Sequence, residues 1–130
     1  MGADLPRIRG MDRIYREDVQ GVRASVAKLG AVVAEVDREL RYVWVDNPHP
    51  DFDAAAVVGK RDDELLSPSD AEAIMALKRE AWRMHASVGQ TLRFQRSDGE
   101  RAYTTIGCPI TDAEGRMQAL LTVAFETDSA

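Results

Sequence analysis

The chain has 130 residues, the length of one domain with one core, a formal net charge of −5 and a sequence pI near 5.0. That balance argues against a broad nucleic-acid footprint and against contact with an anionic membrane. Cys108 is the single cysteine, which excludes an internal disulfide and a multi-cysteine metal cluster; with no apolar signal core and no run long enough to span a bilayer, a cytoplasmic location is expected.

Residues 1–10 mix Gly, Pro and Arg without periodicity and are expected to form a flexible leader. Asp12 then caps a helix over residues 11–29, in which Tyr15, Val19, Val22, Val26 and Leu29 recur at spacings of four, three, four and three before Gly30 ends it. Such a stripe either covers one face of the domain's own sheet or pairs with the same helix of a second copy as a dimer contact. Residues 31–36 and 40–45 read as a hairpin, its second arm rich in β-branched and aromatic residues and stopped by Asn47-Pro48-His49-Pro50. Small helical turns are expected over residues 50–60 and 61–66. Ser69 or Asp70 then caps a long helix closed by Gly89, with Ile74, Leu77, Ala81 and Met84 on its apolar stripe and Ala71, Met75 and Trp82 beside them. Strands over 91–95, 101–110 and 116–125 follow, joined by turns at Ser97-Asp98-Gly99 and Thr111-Asp112-Ala113-Glu114-Gly115. Charged residues read as solvated: Lys78, Arg79 and Arg83 on one face, Arg93, Arg96 and Arg101 on another, and Asp51, Asp53, Asp62 and Asp63 in loops or helix starts.

Together, four groups of residues resemble a PAS domain over residues 30–126: Val36-Asp37-Arg38-Glu39-Leu40-Arg41-Tyr42-Val43-Trp44 followed by Asn47-Pro48; Val58-Gly59-Lys60 before Asp63-Glu64-Leu65-Leu66; Asp98-Gly99; and Pro109-Ile110 before Asp112-Ala113-Glu114-Gly115-Arg116. The stretch 44–50 is most similar to PAS modules of alphaproteobacterial sensor histidine kinases. The resemblance implies an α+β fold: a five-stranded antiparallel sheet ordered 2-1-5-4-3, with short helices and one long helix on one face enclosing a pocket. It implies a non-catalytic sensory module of a two-component or related signal-transduction protein, its ligand held between sheet and long helix and its signal leaving through flanking helices. Residues 127–130 then stand as a truncated linker to an output region, with Glu126-Thr127-Asp128 where relatives carry Asp-Ile-Thr. No kinase core follows in this sequence, so the chain is read as an excised fragment or a stand-alone module.

No cofactor is identified. A light-sensing flavin PAS carries a Gly-Arg-Asn-Cys-Arg motif after its short helices, whereas this chain has Lys60-Arg61-Asp62-Asp63 there, and Cys108 falls on the fourth strand as a small buried hydrophobe. Haem-binding relatives place a histidine near the middle or start of the long helix, where Ile74 and Met75 stand here; His85 comes near its end, a position that suits capping. His49 and His85 are the only histidines and lie in different segments without other ligands at metal spacing. A small enzyme of the ketosteroid-isomerase type would need a carboxylate or histidine aimed inward from a strand, and the strands offer Glu35, Asp37 and Glu126 at or near their ends.

The candidates for a ligand pocket are Tyr42, Trp44, Asn47, Trp82 and Cys108. Tyr42 and Trp44 share one face of their strand while Val43 and Val45 share the other, so one pair faces inward. The expectation is a homodimeric PAS sensor for a small molecule; the alternative is a protein-interaction or dimerisation module with a filled core.

Overall fold

The computed structural model describes residues 12–127. The expected leader 1–10, the first residue of the expected helix and residues 128–130 of the expected linker lie outside the described residues. The chain runs through β1 (Ile14–Tyr15), a 3-10 turn (Arg16–Asp18), α1 (Val19–Lys28), β2 (Val32–Val36), β3 (Tyr42–Asp46), α2 (Ala54–Val57), a second 3-10 turn (Asp62–Glu64), α3 (Pro68–Met84), β4 (Val88–Arg96), β5 (Gly99–Thr111) and β6 (Met117–Thr127).

Strands β3-β2-β6-β5-β4 lie side by side, every neighbouring pair antiparallel, which is the expected 2-1-5-4-3 order. The sheet gains a sixth, two-residue strand, because β1 pairs in parallel with Ile110 and Thr111 at the far end of β5. The expected helix over 11–29 is therefore shorter: Tyr15 stands on β1 and the α-helix begins at Val19. Backbone partners at the end of the long strand β5 win over helical propensity there.

Two hydrophobic clusters lie on opposite faces of the sheet. On one, α3 packs Ile74, Met75, Leu77 and Ala81 over Val36, Val88, Leu92, Phe94, Tyr103 and Leu120. On the other, Ile14 and Val19 pack with Val33, Cys108, Ile110, Ala119 and Leu121, and Val22, Val26 and Trp44 close over them. The stripe of α1 thus covers its own sheet at Val19, Val22 and Val26, while Leu29 remains 72% exposed.

The long helix is capped by Ser67, whose hydroxyl accepts from the Asp70 N–H, with Pro68 in the first turn, rather than by Ser69 or Asp70. It ends at His85 in the left-handed region (φ 52°), and Gly89 is already part of β4. Two hairpin turns share one device. Asp37 accepts from the N–H groups of Glu39 and Arg41, and Asp112 accepts from those of Glu114 and Arg116. The left-handed position is filled by Gly115 in the second turn (φ 82°) and by Leu40 in the first (φ 64°), so β3 starts at Tyr42 rather than at Leu40.

Candidate functional site

Between the sheet and α3 lies a cavity of about 110 Å³. Val32, Ala34 and Val45 form its floor, Leu65, Leu66 and Ile74 its roof, and Phe94, Arg96, Tyr103 and Thr105 one flank. At the opposite side stands a buried polar cluster built from three elements. Lys78 of α3 is 0% exposed and its Nζ donates to Asp62 Oδ2 at 2.6 Å; Asp62, 2% exposed, also accepts from the Tyr42 hydroxyl at 2.6 Å, and Lys78 Nζ donates to that hydroxyl at 3.0 Å. Burial pulls the Lys78 ammonium below its ordinary pKa against the opposing pull of Asp62, and burial together with the Asp62 charge raises the Tyr42 phenol well above its own. The lysine and carboxylate answer each other, and the phenol is held protonated.

Arg96 reaches the cavity from the end of β4. Its guanidinium carbon lies 5.1 Å from the Phe52 ring centroid, 5.0 Å from Phe94 and 5.7 Å from Tyr103, and its buried Nε and Nη1 have no hydrogen-bond partner. Aromatic faces thus surround a cation whose in-plane donors are unused.

The Pro-rich loop brings Pro48, His49 and Phe52 to the cavity wall and is held there by a latch. His49 Nδ1 accepts from the Asp51 N–H at 3.0 Å, which leaves the proton on Nε2 to donate to Asp98 at 3.2 Å. Asp51 in turn accepts from the N–H and the hydroxyl of Ser97. The loop after β3 is pinned in this way to the β4–β5 turn, and it carries Phe52 onto Arg96.

Of the five pocket candidates read from the sequence, Tyr42 lines this cavity and the other four are not among its lining residues. Tyr42 and Trp44 do not share a face. The β2–β3 register shifts between Glu35 and Val36, with Glu35 opposite Trp44 and Val36 opposite Tyr42, so Val43 is an extra residue and the alternation reverses across it. Tyr42 and Val45 consequently face the cavity, while Trp44 packs on the α1 side. Asn47 donates from Nδ2 to the Ala27 and Ala31 carbonyls, both at 3.0 Å, and ties β3 to the end of α1. Trp82 packs at the edge of the α3 core, near the Arg38 guanidinium at 5.9 Å. Cys108 is buried on the α1 face, where burial pushes its thiol up.

Three residues read as solvated belong instead to the cavity: Asp62, Lys78 and Arg96. Each carried a signal. Lys78 lies on the helical face of Ala71, Ile74 and Ala81, and Arg96 continues the inward alternation of Leu92 and Phe94.

The reverse face of the same strands holds α1. Arg16 donates through Nη1 and Nη2 to both oxygens of buried Glu35 at 3.0 and 2.9 Å, and Trp44 Nε1 donates to the same carboxylate at 3.1 Å. Arg23 stacks 3.9 Å over Trp44 and donates to both oxygens of Asp46. Glu35 thus points away from the cavity. Among the described residues, no group of three or more His, Cys, Asp or Glu is placed to hold a metal ion, and no helix is long and apolar enough to cross a membrane.

The model of the PAS fold family matches residues 26–128. No curated protein matches. Among solved structures, a PAS domain from Colwellia psychrerythraea is 15% identical, with a TM-score of 0.68 over 87% of this chain and 100% of that one. The Vibrio cholerae VqmA dimer is 17% identical at a TM-score of 0.69, over 85% of this chain and 51% of VqmA, so the chain spans about half of that protein. The PAS domain of the Cronobacter turicensis quorum-sensing receptor RpfR, in complex with BDSF, is 14% identical at a TM-score of 0.61, over 76% of this chain and 95% of that one. At these identities the likeness is one of fold.

Proposed function

Because the chain belongs to the PAS fold family, whose model matches residues 26–128, we propose that it is a non-catalytic sensory module that binds a small molecule between its sheet and α3 and passes the change on through α1. The observation that carries this reading is the cavity itself: apolar walls, a cation with two buried, unpartnered donors and a wall loop pinned in place. The RpfR domain was solved in complex with BDSF, which supports the same use of the fold here. The sheet couples the two faces. Tyr42 and Val45 touch the cavity, while Trp44 and Asp46 of the same strand hold Arg23 of α1. A ligand that displaces β3 therefore shifts the seat of α1.

In this reading the module is the sensor part of a histidine kinase or related protein, cytoplasmic and homodimeric. Because Val19, Val22 and Val26 are used on the sheet, the second copy would meet the outer side of α1 and its exposed Leu29. Light scattering on the eluting protein tests this; a monomer at high concentration refutes the dimer. For the ligand, a thermal-shift screen of metabolites is decisive, since a compound at a hundred times its dissociation constant adds about 2.7 kcal/mol. A hit lost on filling the cavity by Ala34→Phe supports the reading. Binding that survives this substitution places the ligand elsewhere and overturns it.

A further inference from the structure

We propose that Arg96 recognises the carboxylate of a small acid with an apolar body, and that this class of compound occupies the cavity; the inference rests on the sensory reading above and sharpens it. Polar groups around the cavity otherwise answer one another. Lys78 is met by Asp62 at 2.6 Å, and His49 Nε2 pairs with Asp98 at 3.2 Å. Arg96 differs: its buried Nε and Nη1 have no acceptor among the described residues.

The three aromatic rings around the guanidinium offset part of its charge, but they cannot accept its in-plane N–H bonds. A buried donor that the chain itself leaves without an acceptor is costly, so an acceptor brought by a ligand would complete the site. Among acceptors, a carboxylate answers both needs at once: it supplies the missing negative charge and planar oxygens that lie in the plane of the guanidinium donors. The remaining walls, Val32, Val45, Leu65, Leu66 and Ile74, present hydrocarbon and suit an apolar chain or single ring.

Size narrows the class. The cavity volume of about 110 Å³ suits a short-chain or single-ring monocarboxylate.

The test uses the whole chain and two matched pairs, benzoate with benzamide and hexanoate with hexanamide, measured by calorimetry and thermal shift. At least one acid is expected to bind, with its amide at least tenfold weaker. In Arg96→Gln the acid should weaken at least tenfold and the amide stay unchanged. Equal binding of acid and amide, or full acid binding by Arg96→Gln, overturns the role of Arg96 while leaving the sensory reading intact. Should Arg96→Gln not fold, the acid–amide ratio on the unaltered chain decides alone. Binding by none of the four probes overturns the carboxylate class. The metabolite screen of the previous section then judges the sensory reading separately, since a neutral hit lost in Ala34→Phe would uphold it.

Discussion

Lys78 Nζ and Asp62 Oδ2 stand 2.6 Å apart with both side chains almost wholly shielded from solvent, so the long helix is fastened to the preceding 3-10 turn through a buried ion pair. Removing one partner strands the other charge in the interior. Lys78→Met and Asp62→Leu are each expected to destabilise the fold by about 3–5 kcal/mol, whereas the two together should recover most of that loss. Urea unfolding measures all three. A double variant whose loss equals the sum of the singles would show that the pair is not the coupled unit described.

The Arg23 hydrogen bonds hold the Asp46 carboxyl below its ordinary value. A carboxyl lowered in the folded state contributes stability that is complete above the unfolded value of about 3.9 and is lost as pH falls through the folded value. The unfolding free energy should therefore decline as pH is lowered below about 4, and less steeply in Asp46→Asn. Near neutral pH this variant should cost on the order of 1 kcal/mol, because both side chains remain partly exposed. Equal acid slopes in the two proteins would contradict the assignment.

Asn47 combines a left-handed backbone (φ 58°) with two hydrogen bonds that hold the C-terminal end of α1. Asn47→Ala forfeits both bonds and keeps the strained backbone, for an expected loss of about 2–3 kcal/mol. Asn47→Gly relieves the backbone and should lose about 1 kcal/mol less. In both, amide exchange over α1 should quicken while that of α3 stays slow. Unchanged exchange in α1 would remove this residue as the tie between helix and strand.

Leu40 is a buried leucine at a left-handed turn position, where the matching hairpin uses Gly115. Leu40→Ala loses core burial without relieving the backbone, at about 2–4 kcal/mol. Leu40→Gly loses slightly more hydrocarbon yet removes the backbone penalty of roughly 1 kcal/mol, so it should be no worse than Leu40→Ala. Thermal denaturation ranks the two. A glycine variant clearly less stable than the alanine variant would show that the turn is not strained.

Elements with strong local patterns were legible in the chain before it was folded. The 3.6-residue stripe through Ile74, Leu77 and Ala81 announced α3, the β-branched and aromatic runs announced the strands, and Asp98-Gly99 and Asp112 to Gly115 marked the turns. Their order, with the residue groups around Asn47-Pro48 and Pro109-Ile110, was enough to point to the PAS fold. The candidate site was only partly legible. Strict alternation along the sequence puts Trp44 on the same face as Tyr42, and alternation holds only where no residue is extra in the ladder. The bulge at Val43 arises from pairing with β2, which the local sequence of β3 does not encode.

The same reason separates the charged residues. Lys78, Asp62 and Arg96 read as solvated because each is polar and lies among other charges, and a side chain's type does not state what stands opposite it. Lys78 and Asp62 are sixteen positions apart in sequence and meet only once α3 docks on the sheet. Arg96 gains its aromatic surround only when Phe52 is brought over it by the latched loop. Element types and their order thus followed from local pattern and short-range turn chemistry, and the sheet order from the family resemblance those residue groups carry. The face of each strand, the burial of the charges and the unanswered cation in the cavity were decided by long-range packing.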